Sequence, residues 1–210
     1  MLIVGTGGQG QITLLQILAE AALIENLDFK SSELHGLSQR GGSVEVHIRF
    51  GKKIYSPMVP ARRADLILGL EMQESLMAAN FASPKTNFLV NKHIVPIPFP
   101  SGARGKKIFI SFDLPSVSEG GRNLAEKQIL TIFKKISNNI NLISAEKICQ
   151  EKLGSSVVAG VYLVSLAAFK NLIPIKPDSI LKAMGKIIPR KYLKLNLKAF
   201  KLASESEAVK

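Results

Sequence analysis

The chain has 210 residues, 46% of them hydrophobic and 21% charged, which suffices for one α/β domain with a sizeable core. Its single cysteine, Cys149, rules out a disulfide framework and any all-cysteine zinc or iron–sulfur site made by this chain alone. A formal net charge of +12 raises anionic partners: nucleic acid, a membrane surface, an acidic protein or a phosphate ligand.

The first element is the run Leu2-Ile3-Val4, apolar on both sides of its pleat as a central parallel strand requires. It breaks at Gly5-Thr6-Gly7-Gly8-Gln9-Gly10. Ile12, Leu14, Leu15, Leu18, Ala19 and Ala22 then recur at helical spacing, giving strand, glycine turn, helix. A second strand is expected over 28–32, a polar loop over 36–42, and a half-buried strand over 43–50, where polar and apolar residues alternate. Gly51-Lys52-Lys53 predicts a turn and 54–56 a short returning strand, closing a β-hairpin. Residues 64–70 and 88–91 read as buried strands, with a helix from Met72 between them. Pro96, Pro98, Pro100, Gly102 and Gly105 mark a long loop, with Ile108-Phe109-Ile110 as a short strand inside it. Beyond it, 124–136 is an amphipathic helix, 140–143 a strand and 145–153 a helix. The segment 157–169 is a helix apolar almost all round, and therefore buried. Pro177 opens a helix through 188, and 191–203 is the last. Strands alternating with helices predict an α/β, Rossmann-like fold: a mostly parallel sheet with helices on both faces, a β-hairpin and a helical C-terminal third. Residues 1–203 form a single domain and 204–210 a frayed polar tail.

Two loops carry the chemistry. In the first, glycines permit positive φ and close backbone approach, and the helix start offers unpaired N–H groups. Gly5, Gly7 and Gly10 have the spacing of a dinucleotide fingerprint, which also needs an acidic residue about 20 positions on. The chain offers Lys30-Ser31-Ser32-Glu33 there, a set better matched to phosphate than to a ribose diol. Three readings stay open: a phosphate cradle, a nicotinamide site, or a tight turn that lets the helix pack on its strand. The second loop, His35-Gly36-Leu37-Ser38-Gln39-Arg40-Gly41-Gly42, gathers an imidazole, a hydroxyl, an amide and a guanidinium between glycines. Arg40 can grip a phosphate or carboxylate, or form an ion pair with another subunit. His35 can carry a proton or fix the loop to its own backbone.

Together, Gly5–Gly10 and His35–Ser43 resemble the gamma domain of 2-oxoacid:ferredoxin oxidoreductases. Ser56-Pro57, Ala64-Asp65 and Glu71 fall where that family places such residues. Leu172-Ile173-Pro174 and the closing segment 191–200 are similar to the beta subunit of indolepyruvate:ferredoxin oxidoreductase. The resemblance implies a subunit that is inactive alone and carries no metal. It implies a heterodimer or heterotetramer with a larger subunit holding thiamine diphosphate, magnesium and [4Fe-4S] clusters, which passes electrons to ferredoxin. The reaction implied is oxidative decarboxylation of an aryl pyruvate, or of pyruvate, 2-oxoglutarate or ketoisovalerate in related types, with coenzyme A as acyl acceptor. Cofactor-binding candidates are then Gly5, Thr6, Gly7, Gly8, Gln9 and Gly10, with Ser38, Gln39, Arg40, Gly41 and Gly42 as a second contact for coenzyme A. His35 is the candidate for a catalytic role. A stand-alone NAD(P)- or flavin-binding protein is the competing reading.

The late basic residues Lys182, Lys186, Arg190, Lys191, Lys194, Lys198 and Lys201 read as solvated helix faces or a surface for an acidic partner; no nucleic-acid partner is expected. No apolar run reaches membrane-spanning length and no signal peptide is evident, so a cytoplasmic protein without a membrane partner is expected.

Overall fold

The computed structural model describes residues 1–36, 42–95 and 124–206. Within them six strands form one sheet in the order β2-β3-β1-β4-β5-β6. β1 (Leu2–Thr6), β4 (Leu66–Gly69), β5 (Asn87–Asn91) and β6 (Asn139–Ile143) are parallel. β2 (Asp28–His35) and β3 (Ser43–Gly51) form an antiparallel hairpin that joins this sheet through β1. The sequence-based α/β expectation, mostly parallel with one hairpin, therefore holds.

The parallel strands are apolar on both sides because both sides are covered. Ile3, Leu66, Leu68 and Leu89 face one core, together with α1 (Gln11–Ile24) and the C-terminal helices α4 (Ala145–Leu153), α5 (Ala159–Phe169), α6 (Pro177–Ile187) and α7 (Arg190–Ser204). Leu2, Val4, Ile67, Phe88 and Val90 face the other, with α2 (Met72–Met77) and α3 (Glu126–Ile136). α5 is the helix read as apolar all round, and nine of its residues, Ala159 and Val161–Ala168, are buried. Helix α3 is amphipathic and buries only Ile129, Ile132 and Phe133. The late basic residues on α6 and α7 are all exposed, and Lys186 pairs with Glu20 of α1 at 2.6 Å.

The hairpin is not where the sequence places it. Residues 54–56 form no strand; the partner of β3 is β2. The reason is that both edges of β3 are already taken, one by β1 and one by β2. Two backbone donors of the segment after β3 are met by side chains. Ile54 N–H donates to Asp28 Oδ2 at 2.6 Å, and Val59 N–H donates to His47 Nδ1 at 3.0 Å. The expected strand at 108–110 and the proline loop from 96 onward lie outside the described residues, as do 207–210 of the expected tail. Ser204 is still helical, in the last turn of α7.

Cys149 lies on α4, fully buried, and burial together with the Glu146 carboxylate pushes its thiol up to about 11. It stays protonated through neutral pH. The native chain should therefore be silent to Ellman's reagent, and the one thiol should appear only on unfolding. Reaction of the native protein at the rate of a free thiol would contradict this packing.

Candidate functional site

Between the end of β1 and the start of α1 the backbone turns through two left-handed glycines, Gly8 (φ 101) and Gly10 (φ 83). Gln9 folds back over this turn. Its Oε1 accepts from Thr6 N–H at 2.8 Å and its Nε2 donates to Leu70 O at 3.5 Å. Gln11, buried, donates from Nε2 to Thr6 O at 2.9 Å. A Cβ on Gly5 would lie 2.5 Å from Gln9 Oε1 and 2.8 Å from Gln11 Nε2, so glycine is what lets both side chains close over the turn. Of the first motif, then, Gln9 and Gln11 act as braces and the glycines shape the backbone. Gly10 is the N-cap of α1 and no side chain caps the helix. The first-turn amides lack a side-chain acceptor, which is the physical basis of anion binding at a helix start.

The second loop begins and ends beside the first. Thr6 and Ser43 are register partners, and Gly7 N–H donates to Gly42 O at 2.8 Å. The described ends of the two loops thus share one edge of the sheet. Ser38, Gln39, Arg40 and Gly41 lie outside the described residues. His35 belongs to β2 rather than to the loop, and its Nε2 sits 3.2 Å from Glu33 Oε2 with the imidazole half exposed. That partner is a side chain, not the backbone of its own loop. Glu33 also cannot serve as the fingerprint's acidic residue, because β3 intervenes between β2 and β1.

α1 and α2 leave neighbouring strands β1 and β4 towards opposite faces of the sheet, which opens a crevice at their carboxyl ends. A cleft of about 230 Å³ lies there. Its polar border is Gly8, Gln9, Gly10, Asn91, Glu146 and Ser156; its apolar side is Leu70, Val157, Ala159, Gly160 and Leu163. Val157 is 87% exposed, unusual for valine, at the edge of this cleft. Gly160 brings α5 close to α1: a Cβ there would sit 3.0 Å from Leu14 Cδ1. Asn91, Glu146 and Ser156 were not legible as site residues, since they sit on ordinary-looking stretches tens of residues from the glycine loop. The only signal was position: Asn91 ends a parallel strand, and Glu146 is in the first turn of the helix after the next one.

Two of the other residues that carried the family resemblance tie elements together. Glu71 caps α2: its Oε2 accepts from Glu74 N–H at 2.7 Å and its Oε1 from Val95 N–H at 3.1 Å. Ser43 Oγ donates to Glu74 Oε2 at 2.6 Å, tying the start of β3 to α2. Ser56 and Asp65 lie at the opposite end of the sheet: Ser56 O accepts from Arg49 Nη1 near the end of β3 at 3.1 Å, and Asp65 precedes β4.

No described helix is long and apolar enough to cross a membrane. Among solved structures, the keto/oxoacid ferredoxin oxidoreductase gamma subunit from Geobacter sulfurreducens matches 97% of this chain and 95% of its own at 19% identity, with a TM-score of 0.63. The 2-oxoglutarate:ferredoxin oxidoreductase from Magnetococcus marinus, determined with 2-oxoglutarate, coenzyme A and succinyl-CoA bound, covers 97% of this chain with 30% of its own, at 15% identity and a TM-score of 0.63. These likenesses establish the fold. In sequence, the indolepyruvate oxidoreductase subunit IorB of Archaeoglobus fulgidus is 31% identical over 204 residues, covering 96% of this chain and 92% of its own. The family model for pyruvate ferredoxin/flavodoxin oxidoreductase matches residues 1–206. With nearly the whole length matched and the glycine turn set at the carboxyl edge of the sheet, the chain belongs to the pyruvate ferredoxin/flavodoxin oxidoreductase family.

Proposed function

We propose that this chain is the cluster-free subunit of an indolepyruvate-type 2-oxoacid:ferredoxin oxidoreductase, and that the cleft beside its first glycine loop receives coenzyme A. The observation that carries the reading is the uncapped start of α1, opened by left-handed Gly8 and Gly10 at the border of a cleft with an apolar far side. Backbone amides suit the diphosphate, and the apolar side suits the uncharged arm. The indolepyruvate assignment leans on the named relatives; pyruvate, 2-oxoglutarate or ketoisovalerate is the alternative substrate. The nicotinamide reading lacks support, with Glu33 on the outer strand of the hairpin.

The redox groups do not fit this chain. A [4Fe-4S] cluster takes four thiolates and the chain has one cysteine, buried and held protonated. Among the described residues no three His, Cys, Asp or Glu side chains converge on a metal. The lone cysteine supports placing the clusters on a larger partner subunit, and we assign thiamine diphosphate and magnesium, which would supply the decarboxylation, to that same subunit. This chain's own residues bind and orient the acyl acceptor.

Co-expression with the larger subunit tests the proposal. The complex should reduce a low-potential viologen dye with indolepyruvate faster than with pyruvate, 2-oxoglutarate or ketoisovalerate. Acyl-CoA should form only when coenzyme A is added, and the isolated chain should be inactive. A stable complex that oxidises no 2-oxoacid would overturn it.

A further inference from the structure

We infer that Glu146 is a specificity-determining residue of the cleft: its carboxylate accepts a hydrogen bond from an uncharged donor of the ligand and keeps phosphate away from that part of the cleft. This role presupposes coenzyme A in the cleft as proposed above.

The cleft is chemically two-sided. Beside the glycine loop it offers uncapped backbone donors. Elsewhere along its border it offers a carboxylate. Glu146 is not a loose surface acid. Its Oε1 accepts from Asn91 Nδ2 at 3.1 Å and its Oε2 sits 3.0 Å from His93 Nδ1. Asn91 is itself fixed, donating to Leu70 O at 3.2 Å, and its Oδ1 accepts from Glu146 N–H at 3.4 Å. The carboxylate also stands in the first turn of α4, where the helix dipole favours a negative charge. So its position is fixed from behind, while its side chain stays 31% exposed.

An ionised carboxylate has about four acceptor sites. The protein fills one on each oxygen, which leaves acceptors facing the cleft and no donor. A phosphate brought there meets a like charge. A hydroxyl or amide N–H instead gains a charge-assisted bond. Coenzyme A has both chemistries in one molecule: a diphosphate, then a pantetheine arm with a hydroxyl, two amide N–H groups and apolar methyls. The structure therefore orients it with the diphosphate on the Gly8–Gly10 turn and the pantetheine arm passing Glu146, its methyls against Val157 and Leu163. Nothing in the first glycine loop alone selects this direction.

The test uses the co-expressed complex and steady-state kinetics with Glu146→Gln, Glu146→Asp and Gly10→Val. Glu146→Gln is near-isosteric; it removes the charge and turns one acceptor oxygen into an amide donor, so it should raise KM for coenzyme A about tenfold, with kcat and the 2-oxoacid KM within about twofold. Because the carboxylate faces the arm and not the 3′-phosphate, KM for dephospho-coenzyme A should rise by the same factor. Glu146→Asp, which keeps the charge, should fall between wild type and Glu146→Gln, and it serves if Glu146→Gln fails to assemble. If Gly10→Val raises KM for coenzyme A and neither Glu146 variant does, the role of Glu146 is refuted while the coenzyme A reading stands. If none of the three moves it, the coenzyme A reading itself fails, and Glu146's role with it. A loss of kcat and of 2-oxoacid affinity in parallel would make Glu146 a structural tie between α4 and β5, which also refutes the inference.

Discussion

Replacing Gly10 by valine is expected to raise KM for coenzyme A about tenfold or more in the assembled complex and to destabilise the chain by roughly 1–2 kcal/mol. Two separable causes act. The first is conformational. Gly10 sits at φ 83, a region that costs an L-residue of order 1–2 kcal/mol, and most for a β-branched side chain. The second is occupancy. A Cβ at Gly10 meets nothing within 4 Å, so valine does not clash with the protein; it stands in the open space that the cleft border leaves beside the first amides of α1. Gly154 separates the two causes. It caps the C-terminus of α4 at φ 75, again with nothing within 4 Å of its Cβ, and it does not line the cleft. Gly154→Val should show the same loss in melting temperature with an unchanged KM for coenzyme A. If both variants shift KM equally, the effect is general loosening and the glycine turn has no binding role.

What the sequence made legible follows from how local each constraint is. The strand–glycine–helix start was readable because periodicity changes from continuous apolar to helical across six residues, and because glycine is needed there for a local reason. Helix α5 was readable because no solvated face interrupts it. The hairpin was misplaced because pairing is not local: alternation in 43–50 announces a strand but does not say which edge is free. Only the sheet order shows β3 enclosed between β1 and β2. His47 illustrates the cost of that ignorance. It reads as one polar position in an alternating strand, yet it is fully buried, accepting from Val59 N–H and paired to Glu45 at 2.7 Å, and it holds the following segment without any strand pairing. The cleft was half legible for the same reason. Its glycine side lies in one contiguous motif, whereas Asn91, Glu146 and Ser156 meet it only when β5 lines up beyond β4 and the segment from α4 to α5 folds back over the sheet end. Glu71 shows that a residue carrying a family likeness can serve the fold: both of its carboxylate oxygens are spent on backbone amides.

Truncation of Phe88 to alanine should cost about 3–5 kcal/mol, the largest stability loss expected from a single side chain outside the cleft. Phe88 is fully buried on β5, with β4 on one side and β6 on the other, so neither strand can shift inward without breaking its ladder. The cavity therefore stays open, and its cost adds to the lost transfer energy. The ring also packs on Phe133 of α3, centroids 4.8 Å apart, a contact worth roughly 0.5–1.5 kcal/mol beyond area. That pair is a main tie of α3 to the sheet, beside the buried Ile129 and Ile132. Phe133→Ala should accordingly cost nearly as much, and the double variant should lose less than the two single losses added, because the second truncation removes a partner already gone. With total stabilities of about 5–15 kcal/mol for such domains, either variant should shift the urea midpoint far while leaving the slope unchanged. The opposite face predicts the spatial limit of the damage. α1 and α5 share the other core with Ile3, Leu68 and Leu89, so amide exchange should quicken first in α3 and last in α5. Equal quickening on both faces would mean that the sheet does not insulate the two cores, and the glycine turn would then feel a change made on the far side of β1.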